Sequence, residues 1–109
     1  MRLSYVMKFV ADMDKAVAFY RDVLGLALRF QSPGWSEFDT GATTLALHLA
    51  SDTHPAGGVE LGFGVDDVQA FYHEKSAAGV VFTEPPRTEH GTKLASFVDS
   101  EGAQVSVSG

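Results

Sequence analysis

The 109-residue chain has no cysteine, so thiolate nucleophiles, thiolate metal sites and disulfides are absent. Acid–base and ligand chemistry therefore fall to histidine and carboxylate side chains. Two of these stand out by their surroundings. His48 lies in TTLALHLA, where alternation sends Leu45, Leu47 and Leu49 to one face and Ala46, His48 and Ala50 to the other. An imidazole among such small neighbours could serve as a general base, ligate a metal or hydrogen-bond within the strand. Glu60 lies in VELGFGV and shares its face with Gly62 and Gly64, opposite Leu61, Phe63 and Val65. Its candidate roles are metal ligand, general base, hydrogen-bond acceptor for a substrate, or a solvated strand-end carboxylate. Small side chains on a sheet face leave volume unfilled, so a cavity is expected there.

Aromatic and polarizable residues could line it. Tyr5, Met7, Trp35 and Phe38 offer walls suited to a planar or amphiphilic small molecule, with Phe9 beside them. Core packing is the competing role for Phe9 and Phe38. Trp35 follows Pro33-Gly34 at a strand start, which suits a rim position. Near the end, Val105 and Val107 point one way, leaving Gln104, Ser106 and Ser108 opposite. Arg87 and Lys93 are cations able to meet an anionic ligand, and His54, His73 and His90 read as solvated.

The elements that position these residues come in a repeated order. Leu3 to Val10 reads as a strand, Asp14 as a helix N-cap, and KAVAFYRDVLG as a three-turn amphipathic helix closed by Gly25. Short strands follow at 27–30, 35–39 and 43–50, separated by Pro33-Gly34 and Thr40-Gly41. The polar connector SDTHPAGG, residues 51–58, precedes a second round. That round has a strand over VELGFGV, Asp67 as N-cap, a helix over VQAFYHEKSAA ending at Gly79, then strands over VVFT, LASFVD and AQVSVS. Phe19-Tyr20 matches Phe71-Tyr72, Gly25 matches Gly79 and Val10 matches Val65, at offsets that drift as loops lengthen. The reading is one α+β domain over 1–109, built from two βαβββ half-repeats at about 1–51 and 58–109.

The pattern D-x-x-x-A-V-x-F-Y-x-x-V-L-G-L, Asp12 to Leu26, resembles the first helix of glyoxalase I and bleomycin resistance proteins, of the vicinal oxygen chelate superfamily. FVDSEG, Phe97 to Gly102, resembles that family's F-x-D-P-x-G turn, with Ser100 in place of proline. The resemblance implies a curved mixed sheet forming an open barrel with helices outside, and a homodimer. It also implies a divalent metal held by residues of the first and fourth strands of each half. Carried over one at a time, those positions fall on Tyr5 and His48, then on Glu60 and Ser106. Only His48 and Glu60 are ordinary ligands, where a metalloenzyme commonly has three protein ligands and an open position.

Composition narrows the function. A net charge of −6 repels phosphate backbones and anionic lipid, so no nucleic-acid or membrane partner is expected. The start shows no signal-peptide pattern and no stretch reaches membrane-spanning length, which makes a cytoplasmic location the expectation. The expected function is a small-molecule-binding protein of the bleomycin resistance type, holding an aromatic or amphiphilic ligand without a full metal site. The alternatives are a divalent-metal lyase, isomerase or dioxygenase using His48 and Glu60, and a metal-free enzyme with either residue as base.

Overall fold

A computed structural model describes residues 1–109, which divide into two compact units, Ser4–Val59 and Glu60–Gly109 with Met1–Leu3. The first unit takes β1 (Arg2–Val10), α1 (Met13–Ala18), a π-helical turn (Phe19–Val23), β2 (Ala27–Gln31), β3 (Trp35–Asp39) and β4 (Thr44–Leu49). The second takes β5 (Val59–Gly64), α2 (Val68–Ala77), β6 (Phe82–Glu89), β7 (Thr92–Val98) and β8 (Gln104–Ser108). The expected α+β class and the duplicated β-α-β-β-β order are both present. No helix is long and apolar enough to cross a membrane.

Each unit carries a four-stranded mixed sheet, in the order β2-β3-β4-β1 or β5-β8-β7-β6. In the first, β1 and β4 run parallel, and β4, β3 and β2 form an antiparallel meander. In the second, β5 and β8 are parallel and β8, β7 and β6 antiparallel. Parallel pairing of the first and last strands needs a crossover, which the helix and meander supply.

Both helices start alike. Asp12 accepts from Lys15 N at 3.0 Å and Asp67 from Ala70 N at 3.0 Å, each satisfying a donor that the first turn leaves unpaired. The first cap is thus Asp12, correcting the expected Asp14, which sits inside the first turn. The extended backbone of Asp12 decides this, since its side chain then faces the amide three residues on. The helix after it also differs from a regular three-turn element. Leu24 N donates to Phe19 O, five residues back, and Gly25 turns the chain at φ 75°.

The core of the first unit joins Met13, Val17, Phe38 and Leu47, with Val10, Tyr20, Leu28 and Leu45 packed around them. Beside it the fully buried Ser36 hydroxyl donates to the Met13 sulfur at 3.3 Å. The second core joins Val65, Val68, Ala95 and Val107 with the rings of Phe63, Phe71, Phe82 and Phe97. Strand β6 continues past the expected VVFT because Pro85 and Pro86 are absorbed by register shifts between Phe82 and Arg87 at the sheet edge. A two-residue turn at His90-Gly91, both at positive φ, returns the chain to β7.

Candidate functional site

Strand register sorts the candidate residues onto faces. In the first unit Tyr5, Met7 and Phe9 stand opposite Thr44, Ala46 and His48, and Trp35 stands opposite His48. These residues share the face away from α1. Their rings form a chain: Tyr5 meets Trp35 edge-on at 6.2 Å, Trp35 meets His48 at 5.7 Å, and His48 lies 5.4 Å from Phe9. His54 extends it, stacking on Phe9 at 4.7 Å, so this histidine is engaged where a solvated one was expected. The 51–58 connector brings it there, with Gly57 N donating to Phe9 O at 2.9 Å and Phe9 N to Gly58 O at 3.0 Å.

Phe38 is not on that face. It is fully buried against α1 and 5.9 Å from the Tyr20 ring, which corrects its assignment as a ligand-lining residue. The reason is parity: Phe38 is three positions from Trp35 in one strand, so the two side chains point to opposite faces.

Three residues outside the sequence-level candidates, Arg29, Glu37 and Thr44, complete the face. The Trp35 indole N–H donates to Glu37 Oε2 at 2.8 Å, while Arg29 donates to Glu37 Oε1 at 2.9 Å and to Thr44 Oγ1 at 2.6 Å. Glu37 shares strand parity with Trp35, which was the available signal. His48 is solvent-exposed and its Nδ1 is bonded at 2.8 Å to the Leu49 carbonyl, which fixes a proton on Nδ1.

In the second unit Glu60 is only 7 % exposed and accepts a hydrogen bond from the Ser106 hydroxyl. Ser96, also buried, lies opposite Ser106 across the β7–β8 ladder, and Gly62 lies opposite it across β5–β8. This face is therefore small and polar around one carboxylate. Arg87 is committed to Glu84 and Glu89, the latter at 2.9 Å.

The donor set does not fit a divalent metal. In neither unit do three histidine or carboxylate side chains gather at ligating distance. Within the first unit His48 pairs with Phe9, four residues along β1 from Tyr5, which pairs with Thr44. The carried-over fourth-strand positions are also out of step. The matched caps Asp12 and Asp67 align Met7 with Gly62, and these pair with Ala46 and Ser106. The counterpart of Ser106 is then Ala46, and that of His48 is Ser108. Two open surface depressions, of about 500 and 400 Å³, lie elsewhere, the first beside Asp12 and Pro33 and the second beside Gly79 and Phe97. Neither contains any of the candidate residues.

Comparisons with known proteins agree with this architecture. A probable lactoylglutathione lyase of Vibrio cholerae is 28% identical over 95% of this chain and 87% of its own length. Another from Synechocystis is 27% identical over 96% and 92%. Among solved structures, a Streptomyces coelicolor methylmalonyl-CoA epimerase superposes with TM-score 0.74 at 22% identity, covering 99% of this chain and 93% of that one. A Vibrio splendidus glyoxalase/bleomycin resistance protein/dioxygenase superfamily member gives 0.72 at 16%, over 98% and 97%. The same superfamily matches residues 2–107 directly, so that with the doubled β-α-β-β-β plan in place the chain belongs to the glyoxalase/bleomycin resistance protein/dioxygenase superfamily.

Proposed function

We propose that the protein binds an aromatic or amphiphilic small molecule against the ring-lined sheet face of its first unit, and does so without a metal. The observation that carries this reading is the chain of rings from Tyr5 through Trp35 and His48 to Phe9 on one face, beside a donor set too sparse for a metal centre. Met7 adds polarizable surface on the same face, and Trp35 keeps part of its ring accessible. Aromatic walls of this kind recognise flat ring systems by stacking and area burial. The reading includes a homodimer, checked by sedimentation at micromolar concentration, and a cytoplasmic location.

A second reading, a lyase, is favoured by the names of the Vibrio and Synechocystis relatives. That lyase would depend on a divalent metal and use His48 and Glu60.

The chain has one tryptophan, so energy transfer from Trp35 to the neutral probe N-phenyl-1-naphthylamine reports binding with little background. Saturable transfer at micromolar probe, abolished by excess unlabelled bicyclic aromatic, is expected, and the probe's own directly excited emission should show binding weakened at least tenfold in Trp35→Leu. An absence of saturable transfer would refute the binding reading. Raised affinity only after Ni, Zn or Mn addition would return the metal-dependent lyase to first place.

A further inference from the structure

Trp35 is the largest ring on the proposed face, and a hydrogen bond holds it as well as its contacts with Tyr5 and His48. Its indole N–H points along its own strand to Glu37, two residues on, at 2.8 Å. That carboxylate is held in turn by Arg29, whose Nε and terminal nitrogen reach Oε1 at 3.3 and 2.9 Å. Arg29 is anchored a second time on the Thr44 hydroxyl at 2.6 Å. Three strands thus contribute to one network: β2 gives Arg29, β3 gives Glu37 and Trp35, and β4 gives Thr44. A half-buried indole without such a partner would keep its χ1 and χ2 freedom, and immobilising a ring costs affinity when a ligand has to do it.

We infer that Glu37 is a positioning residue that fixes the Trp35 indole for the ligand, and that the site takes a flat, uncharged ring system. This rests on the binding proposed above. Arg29 and Glu37 neutralise one another at 2.9 Å, so the wall beside Trp35 offers no uncompensated charge for an ion to meet. Because both carboxylate oxygens are already occupied by Trp35 and Arg29, Glu37 has its strongest acceptor positions committed to the protein.

Two comparisons test this, with circular dichroism confirming that each variant folds. In ligand-free protein, Glu37→Ala is expected to add a sub-nanosecond component to the Trp35 anisotropy decay and to shift its emission. Glu37→Gln, which keeps an oxygen acceptor for the indole N–H, should restore the wild-type decay. An unchanged decay in Glu37→Ala would overturn the positioning role whether or not any ligand binds. With probe, Glu37→Ala should weaken N-phenyl-1-naphthylamine about tenfold and Glu37→Gln less than threefold. Unchanged probe affinity in a variant whose indole has been freed would also overturn the inference. In wild type, the sulfonated analogue 8-anilinonaphthalene-1-sulfonate, compared at 0.5 M salt to screen the net charge, should bind at least tenfold more weakly than its neutral counterpart. Equal affinities would overturn the assignment of an uncharged ligand. If neither probe binds wild type while the anisotropy results hold, the binding proposal fails and the positioning of Trp35 stands.

Discussion

Replacing Phe38 by leucine should lower stability while leaving ligand binding intact. The ring has no solvent exposure and fills the space between Met13 and Val17 of α1 and Leu47 of the sheet. Leucine keeps apolar character but leaves part of the ring volume empty and removes the contact with Tyr20. Partial loss of a buried aromatic, below the 3–5 kcal/mol of a truncation to alanine, costs about 1–2 kcal/mol. The unfolding entropy of a 109-residue chain is about 0.23 kcal/mol per kelvin, so Tm should fall by about 4–9 °C. Circular dichroism melts measure the shift, and the probe titration on the same samples should give a dissociation constant within twofold of wild type. A Tm unchanged within 1 °C, accompanied by a tenfold loss of probe affinity, would put Phe38 on the ligand face and refute the parity reasoning.

Three further outcomes are expected. Ser106→Ala removes the hydroxyl donor to the buried Glu60 carboxylate, and should cost about 1–2 kcal/mol, read as a Tm loss of about 4–9 °C. A loss below 1 °C would show that the carboxylate does not depend on that donor. Asp67→Ala should lower the urea midpoint by an amount equivalent to about 1 kcal/mol, and Asp67→Asn by much less, because asparagine keeps the capping oxygen; equal losses in the two variants would contradict the capping role. The hydrogen bond from the Arg21 guanidinium holds the Asp22 carboxyl below the usual carboxylate range. A depressed carboxyl contributes stability at neutral pH that is lost as pH falls through its folded value, so Arg21→Ala should raise the Asp22 titration midpoint in carboxyl NMR. No movement would mean that the pair does not form in solution.

Periodicity was enough to read the element order and the aliphatic faces, because alternation and helical spacing are local properties of the chain. Leu45 and Leu47 on one side and His48 on the other follow from parity alone. Parity also carried information that residue type obscured: Phe38 was grouped with Trp35 as an aromatic, although three positions in a strand separate faces. Asp12 and Asp14 are equally good caps by type, and only the extended backbone of Asp12 chooses between them. The edge strand through Pro85-Pro86 was hidden because proline forbids a regular ladder, yet register shifts at an edge tolerate it. The role of Glu37 is not legible in WSEFD, because a strand carboxylate between Ser36 and Phe38 reads as solvated. Its partner Arg29 lies eight residues before it on the adjacent strand, and the Thr44 hydroxyl that anchors Arg29 lies seven residues after it, so the three meet only once the meander forms.

Duplication followed by alternation explains why two halves of one plan carry different chemistry. Residues facing the helices are tied to close packing, and the register-equivalent Leu47 and Val107 are both fully buried aliphatics. The other face has no helix to fit, so equivalent positions there are free to diverge in size and polarity. Met7 pairs with Ala46 in one unit where Gly62 pairs with Ser106 in the other, and Phe9 with His48 where Gly64 pairs with Ser108. The first half has collected rings and the second has shed side chains around a single buried carboxylate. On the binding proposed for the first unit, its ring-bearing face supplies area and orientation, the two properties by which a flat molecule is selected by shape.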